Sequence, residues 1–297
     1  MNKFKFIILF LIVSNLVTEL YIEKFYFFMK YRCYFPIDIS NVKIIHIVIT
    51  RFLTPFKFPK DFDKMIYNGE YIKNGIRVIK KYLLPSLEKQ ICKDFTWLIV
   101  TGNKNNINNI KSLLNLKTSF NWEIIHQNNL KKYLRNASKG FDVLITSRID
   151  YDDRIYYDAV NDVRKSINLR KPMVIYGYNR GGYYFESNGK YYDYYVQSKI
   201  GALGIFLSLI TVLKRVNDSY SIFEIGPHPQ VSKILKRNYK YFGINKLDYE
   251  PGIFDTGSFK FVYVRQKYSH SIKSISSVIS KTKPINFNLN KFLYNKI

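Results

Sequence analysis

The stretch Phe141 to Asp153, FDVLITSRIDYDD, limits what this chain can become more than any other. Val143, Leu144, Ile145 and Thr146 make a short apolar and β-branched run, the pattern of a strand buried on both faces. A small polar step at Ser147 and Arg148 follows, then aspartates at positions 150, 152 and 153. In an extended or tightly turning segment alternate residues point the same way, so Asp150 and Asp152 can converge on one point. Two carboxylates that close repel unless a hard cation or a positive side chain joins them. Mg²⁺ and Mn²⁺ take oxygen ligands and keep part of their shell for a substrate phosphate. The pattern therefore reads as a divalent-metal site at the carboxyl end of a sheet strand, holding a nucleotide diphosphate. A second reading stands beside it. Asp also makes turns and caps helices, and Asp152 or Asp153 would then cap a helix running to about Ile167. The strand in front and the adjacent arginine favour the site, because ligands of α/β sheets bind at the carboxyl ends of strands.

With 297 residues the chain fits one large α/β domain with extensions, or at most two small domains. A hydrophobic content of 47%, with 17% aromatics, excludes global disorder. The net charge of +25 would ordinarily point to nucleic acid or an anionic membrane. Here the lysines are scattered, as at Lys80-Lys81, Lys131-Lys132 and Lys236-Arg237. They accompany abundant Asn, Ile, Tyr and Phe, the residue set of an AT-biased genome. A solvated basic surface that helps attract an anionic nucleotide is the expectation, and nucleic acid is not the expected partner. Cys33 and Cys92 have no metal-ligand spacing and no disulfide framework depends on them.

Residues 1–40 differ from the rest. Lys3 and Lys5 precede an apolar run from Phe6 to Val13, and an aromatic patch follows at Phe25 to Phe28. The run has the length of a signal-peptide core, is short for a span of about 20 apolar residues, and lacks a clear cleavage site. It reads as an uncleaved amphiphilic anchor, a monotopic membrane contact or a non-core extension. Membrane association through it, or an intracellular location, is the expectation.

The globular pattern is expected over 41–280, with a polar tail over 281–297. Strands are read at His46–Thr50, Phe95–Val100, Trp122–Ile125, Val143–Thr146 and Met173–Tyr176. Helices are read at Tyr71–Ile91, Ile107–Leu116, Leu130–Ala137 and Asp158–Ile167. Pro85 removes a donor inside the first helix, so a break is expected there, with a second helix over Ser86–Ile91. The alternation of strands and helices argues for an α/β sheet, mostly parallel in this half. Two aromatic runs, Tyr183–Phe185 and Tyr191–Val196, are separated by Ser187, Asn188 and Gly189 and read as a β-hairpin. Leu203–Val212 is apolar and β-branched, compatible with helix or strand.

The residues also resemble a family of nucleotide-sugar glycosyltransferases, the rhamnosyltransferase family, with a GT-A type fold. His46 to Phe52 is similar to its opening strand, which ends in Thr-Arg-Phe. Tyr82 to Gln90, followed by Asp94 to Trp97, is similar to its Leu-Pro-Ser-Leu and Phe-Thr-Trp segment. Thr146 to Asp153 is similar to its Thr-Arg-Leu-Asp-Asn-Asp-Asp block, with Tyr151 where the family has Asn. The likeness spans about 44–265 in the family's order. It implies a GT-A-like, Rossmann-like mixed sheet flanked by helices, with the β-hairpin in its C-terminal half.

The resemblance also implies roles. Asp152 would bind Mn²⁺ or Mg²⁺ bridging the donor diphosphate, and Asp150 would contact the ribose, or the metal through water. Thr50 and Arg51 would lie near the base and phosphates. Arg148 would neutralise the carboxylates, touch phosphate, or pair structurally with Asp153. A third metal ligand in such folds often comes from a C-terminal histidine, for which His228 and His270 are the candidates. For a carboxylate base the candidates are Asp153, Glu186, Glu224 and Asp255, and spacing does not choose among them. The implied partners are a dTDP-, UDP- or GDP-sugar donor and a glycan or lipid-linked acceptor, with rhamnose as the family's sugar. Rival readings are a metal-dependent phosphoryl transferase or nuclease, a basic nucleic-acid- or membrane-binding protein without catalysis, and a family member that binds donor without transferring it.

Overall fold

The computed structural model describes residues 40–54, 69–102, 107–178, 180–195, 206–224, 239–242, 250–251, 260–265, 284–285 and 289. Chain contacts divide it into Met1–Asn41 and Val42–Ile297. The second unit carries every element described here. The apolar segment expected to contact a membrane, and the candidates His228, Asp255 and His270, lie outside the described residues. Among the described residues no helix is long and apolar enough to cross a membrane.

The first strand, β1 (Ile44–Arg51), leads to α1 (Gly69–Val78), a π-helical turn (Ile79–Leu83) and α2 (Leu84–Glu88). Then come β2 (Thr96–Thr101), α3 (Ile107–Leu114), β3 (Asn121–His126), α4 (Leu130–Ala137) and β4 (Val143–Arg148). After the aspartates follow β5 (Arg154–Ile155), α5 (Ala159–Lys165), β6 (Met173–Tyr176), the pair β7 (Arg180–Phe185) and β8 (Lys190–Tyr195), and β9 (Leu207–Val212). Short strands β10 (Glu250–Pro251), β11 (Phe261–Arg265) and β12 (Pro284–Ile285) complete the described elements.

The strands form a seven-stranded sheet, β10-β6-β9-β4-β1-β2-β3, and a five-stranded sheet, β12-β8-β7-β11-β5. The first sheet is mixed. Strands β4, β1, β2 and β3 run parallel, while β9 is antiparallel to both β4 and β6. Alternate residues of each strand serve opposite layers. Val48, Trp97, Ile99, Val143 and Ile145 pack with Ile72, Ile76, Leu83, Leu87, Ile110 and Val163 from α1, the π turn, α2, α3 and α5. Ile47, Ile49, Leu98, Val100 and Leu144 pack with Leu134 of α4 on the other side. The expected α/β mixed sheet flanked by helices is therefore present, and the hairpin is the β7–β8 pair, closed between Phe185 and Lys190.

Three expectations change. The helix does not break at Pro85, and it ends at Glu88. A proline clashes with the carbonyl four residues back and cannot donate to it. Widening to a π turn just before Pro85 removes the conflict, with the Leu84 amide donating to Ile79 O. The stranded carbonyl, Lys81 O, instead accepts from Arg154 Nη2 at 3.4 Å. Second, the undecided apolar run contains β9, an antiparallel strand in the middle of the sheet. A continuous apolar run cannot distinguish a buried strand from a buried helix by periodicity. Third, the supposed polar tail contributes β12, which pairs with β8.

Candidate active site

The Asp150–Asp153 turn is the hinge between the two sheets. It begins where β4 leaves the centre of the seven-stranded sheet and closes with the Asp153 amide donating to Asp150 O at 3.2 Å. The next two residues are already β5, paired with β11 in the five-stranded sheet. The helix-capping alternative fails, because the residue that opens α5 is Asp158. Neither Asp152 nor Asp153 is near enough in sequence to cap it. Tyr151 turns its ring inward, edge-on to Phe52 at 5.5 Å. Burial first, and the neighbouring Asp152 charge second, push its hydroxyl well above the ordinary tyrosine range. Asp152 is 8% exposed and Asp153 1%, whereas the Asp150 side chain is 36% exposed. Asp150 is the carboxylate most open to a ligand.

The strand ends beside this turn supply positive charge. Arg148 ends β4, is 8% exposed, and its Nη2 stands 3.4 Å from Asp150 Oδ1. Its Nε has no hydrogen-bond partner. Arg148 therefore pairs with Asp150. Arg51 ends β1, on the same face as Ile47 and Ile49. Burial is the main cause that lowers its pKa, to about 10, helped by the Arg148 charge and opposed by Asp150. Both guanidinium groups lie over one ring: Arg51 Cζ is 4.4 Å and Arg148 Cζ 5.1 Å from the Phe223 centroid. Thr50 faces the other way. It is fully buried, and its hydroxyl accepts from Trp97 Nε1 at 2.9 Å. Its contribution here is to tie β1 to β2 next to Arg51.

Just past β1, Leu53 adopts φ 57°, a region costly for a branched side chain. Its burial at 5% exposure and the Gly102 amide donating to its carbonyl at 3.1 Å hold it there. This fixes how the chain leaves the strand beside Arg51.

A scaffold of side chains pins the segment after the aspartates. Gln90 is 2% exposed and uses its whole amide. Nε2 donates to Ser86 O at 2.9 Å and to Tyr156 O at 2.7 Å, and Oε1 accepts from the Val160 amide at 3.0 Å. The last bond caps α5 from a distance, since Asp158 makes no side-chain cap bond. The Ile91 amide adds a bond to Tyr157 O at 2.9 Å. Arg154 lies 4.8 Å over the Tyr82 ring and donates to Tyr191 Oη at 3.3 Å. The Pro-Ser-Leu…Gln segment is thus a buried clamp on the residues that follow the site.

The base candidates separate. Glu186 accepts from Lys81 Nζ at 2.6 Å and Tyr82 Oη at 2.7 Å. Lys81 chiefly holds its carboxyl below the usual range, which makes it a weaker base. Glu224 closes its own turn, accepting from the Ser221 amide at 2.6 Å, and pairs with Lys131 at 3.3 Å. Asp153 is almost sealed from solvent. Among the described residues no group of three or more His, Cys, Asp or Glu side chains could hold a metal alone. The turn offers the carboxylates of Asp150, which has both arginines beside it, and of Asp152 two residues on. That suits a hard cation completed by phosphate and water, the usual arrangement for Mg²⁺.

Sequence reasoning missed Phe223, the remote cap from Gln90 and the carbonyl contact of Arg154. Gln90 had a signal, since it stands in a matched segment and a buried amide must find partners. Phe223 had none.

Among solved structures, residues of this chain resemble S. aureus TarS 1-349, alone (TM-score 0.37) and in complex with UDP (TM-score 0.38), each at 12% identity over 74% of this chain and 60% of that one. HddC from Yersinia pseudotuberculosis is 14% identical over 74% of this chain and 89% of that one, with a TM-score of 0.30. The chain thus spans about 60% of the TarS fragment that it resembles. No curated protein matches it. The family match is of a different kind, covering residues 60–224, more than half of the chain, with the clamp, both sheets' junction and the Phe223 loop inside it. The chain belongs to the glycosyltransferase-type family described as "Putative rhamnosyl transferase".

Proposed function

We propose that this protein transfers a sugar from a nucleoside-diphosphate donor to a glycan or lipid-linked acceptor, with a divalent cation at the aspartates. The observation that carries the reading is the grouping of Asp150, Arg148 and Arg51 at the carboxyl ends of β4 and β1, where α/β sheets bind ligands, with Asp152 two residues further along the same turn. Family membership supports the sugar-transfer class, with rhamnose as the sugar. Asp152 and Asp150 would hold Mn²⁺ or Mg²⁺, which when bound offsets charge on the departing diphosphate. Arg51 and Arg148 bind the same phosphates as fixed positive groups, already desolvated and so needing little reorganisation. Gln90 and Arg154 keep the turn and the start of α5 in place. Glu186 is held by Lys81 and Glu224 by its own turn, and Asp255 lies outside the described residues, so no base is assigned.

The test is thermal stabilisation of the full chain by UDP, dTDP, GDP and CDP, each with and without Mn²⁺. The expected result is a Mn²⁺-dependent shift with one nucleotide that Asp152→Asn abolishes. Stabilisation by polyanions that is unaffected by Asp152→Asn, with none by any nucleotide, would replace this reading with a basic binding protein.

A further inference from the structure

The two arginines at the strand ends present a problem that the fold has to solve. They lie on the same face of neighbouring parallel strands, Arg51 one pleat beyond Ile49, the residue in register with Arg148. Like charges so placed repel, and burial removes the water that would screen them. One carboxylate, Asp150, stands near both, and a bound cation would draw on that same carboxylate. The Phe223 ring is a contact that both share, and its face attracts both guanidinium groups.

The loop that carries Phe223 is built rather than loose. Thr146 Oγ1, on β4 one pleat before Arg148, accepts from the Ile222 amide at 2.9 Å. Asp218 is held by Arg135 through bonds of 2.8 and 2.7 Å and by Lys131 at 3.0 Å, which ties the loop to α4. Ser138 Oγ and Ser219 Oγ are 2.7 Å apart, a further tie to that helix end. Tyr220 and Ile222 are buried against Met173, Ile175, Leu207 and Leu209. Four attachments thus deliver one half-buried aromatic ring to the ends of β1 and β4.

We propose that Phe223 is a positioning residue, which holds Arg51 and Arg148 together as a clamp for a diphosphate group. The inference rests on the donor-site reading above and deepens it, since it names the group that preorganises the phosphate-binding arginines. A ring contact engages the face of a guanidinium, whereas phosphate oxygens are bound through the N–H groups in its plane, so the two contacts do not compete. Phe223→Leu would keep the apolar contact but not the ring face, and the arginines would separate.

The experiment measures inorganic pyrophosphate binding by calorimetry on the full chain in EDTA, so that the aspartates recruit no cation. Wild type, Phe223→Leu, Phe223→Trp and Arg51→Gln/Arg148→Gln are compared, with the leucine change also made in the double-arginine background. Loss of two ring contacts predicts affinity about tenfold weaker in Phe223→Leu. Phe223→Trp should bind as wild type does, and the leucine change should have no further effect once the arginines are gone. An unchanged affinity in Phe223→Leu, an equal loss in the arginine-free background, or no pyrophosphate binding by wild type would each overturn the proposal. Pyrophosphate binding that depends on Phe223, in a protein that binds no nucleotide with Mn²⁺, would uphold the clamp while removing the donor reading.

Discussion

Gln90→Met tests whether the clamp is what supports the segment after the aspartates. Methionine has nearly the same length and is apolar, so the perturbation removes polar contacts without opening a large cavity. Three bonds disappear, to Ser86 O, Tyr156 O and the Val160 amide. A neutral intramolecular bond contributes about 1 kcal/mol net, and a buried donor left without a partner costs about 1–3 kcal/mol. The Val160 amide is buried and in the first turn of α5, where no other side-chain cap replaces Gln90. The expected destabilisation is therefore about 3 kcal/mol, read as a lower midpoint in urea unfolding with an unchanged slope. Gln90→Glu should cost more than Gln90→Met at neutral pH, because a buried carboxylate still accepts from Val160 but turns its other oxygen on two carbonyl oxygens to which it cannot donate. Nucleotide affinity, measured where the variant is folded, should fall several-fold as the turn loosens. A loss below about 1 kcal/mol in Gln90→Met would refute the energetic argument. Full destabilisation with unaltered nucleotide affinity would refute the link from clamp to site.

Other outcomes follow from single contacts. His46 is buried between strands with Nε2 2.7 Å from Ser147 Oγ, and burial, aided by the Arg164 charge, lowers its pKa to about 3. The unfolded chain takes up that proton first, so stability relative to His46→Gln should be flat above about pH 6.5 and decline below it by roughly 1.4 kcal/mol per unit towards pH 3. Parallel pH curves for the two proteins would sink this reading. Gly75→Ala places a Cβ 2.4 Å from Phe52 Cε2, a ring 1% exposed. A loss of about 1–3 kcal/mol in chemical unfolding is expected, and an unchanged midpoint would show that the ring has room to move. Trp97→Phe deletes the bond to Thr50 but keeps most of the packing, and about 1 kcal/mol should be lost. A loss several times larger would mean that the indole fills space that phenylalanine cannot.

The order of elements was legible because local signals decide it. The apolar runs at β1, β2 and β4 are strands in the core of a parallel sheet, and such strands read as continuous hydrophobic segments. The α4 helix was readable to the residue, because Leu130 and Leu134 recur at helical spacing among lysines and arginine. The aspartate turn was legible as a turn at a strand end, and the three matched segments pointed to the family. What failed were features whose causes lie far away in sequence. Pro85 breaks a helix only if nothing accommodates it, and the partner that takes its stranded carbonyl, Arg154, is more than seventy residues away. The direction of β9 depends on which neighbours it meets, and its own apolar run carries no such information.

The same division applies to the site. Sequence alone determined which charges stand at the strand ends, because Arg51, Arg148 and Asp150 are fixed by position along β1 and β4. Only the tertiary structure decided what they face. Thr50 and Arg51 are adjacent, yet strand alternation sends one into the core against Trp97 and the other out over Phe223. Phe223 reaches both arginines because Thr146 and α4 anchor its loop, a long-range arrangement that hydrogen bonds and packing create and that no local pattern encodes.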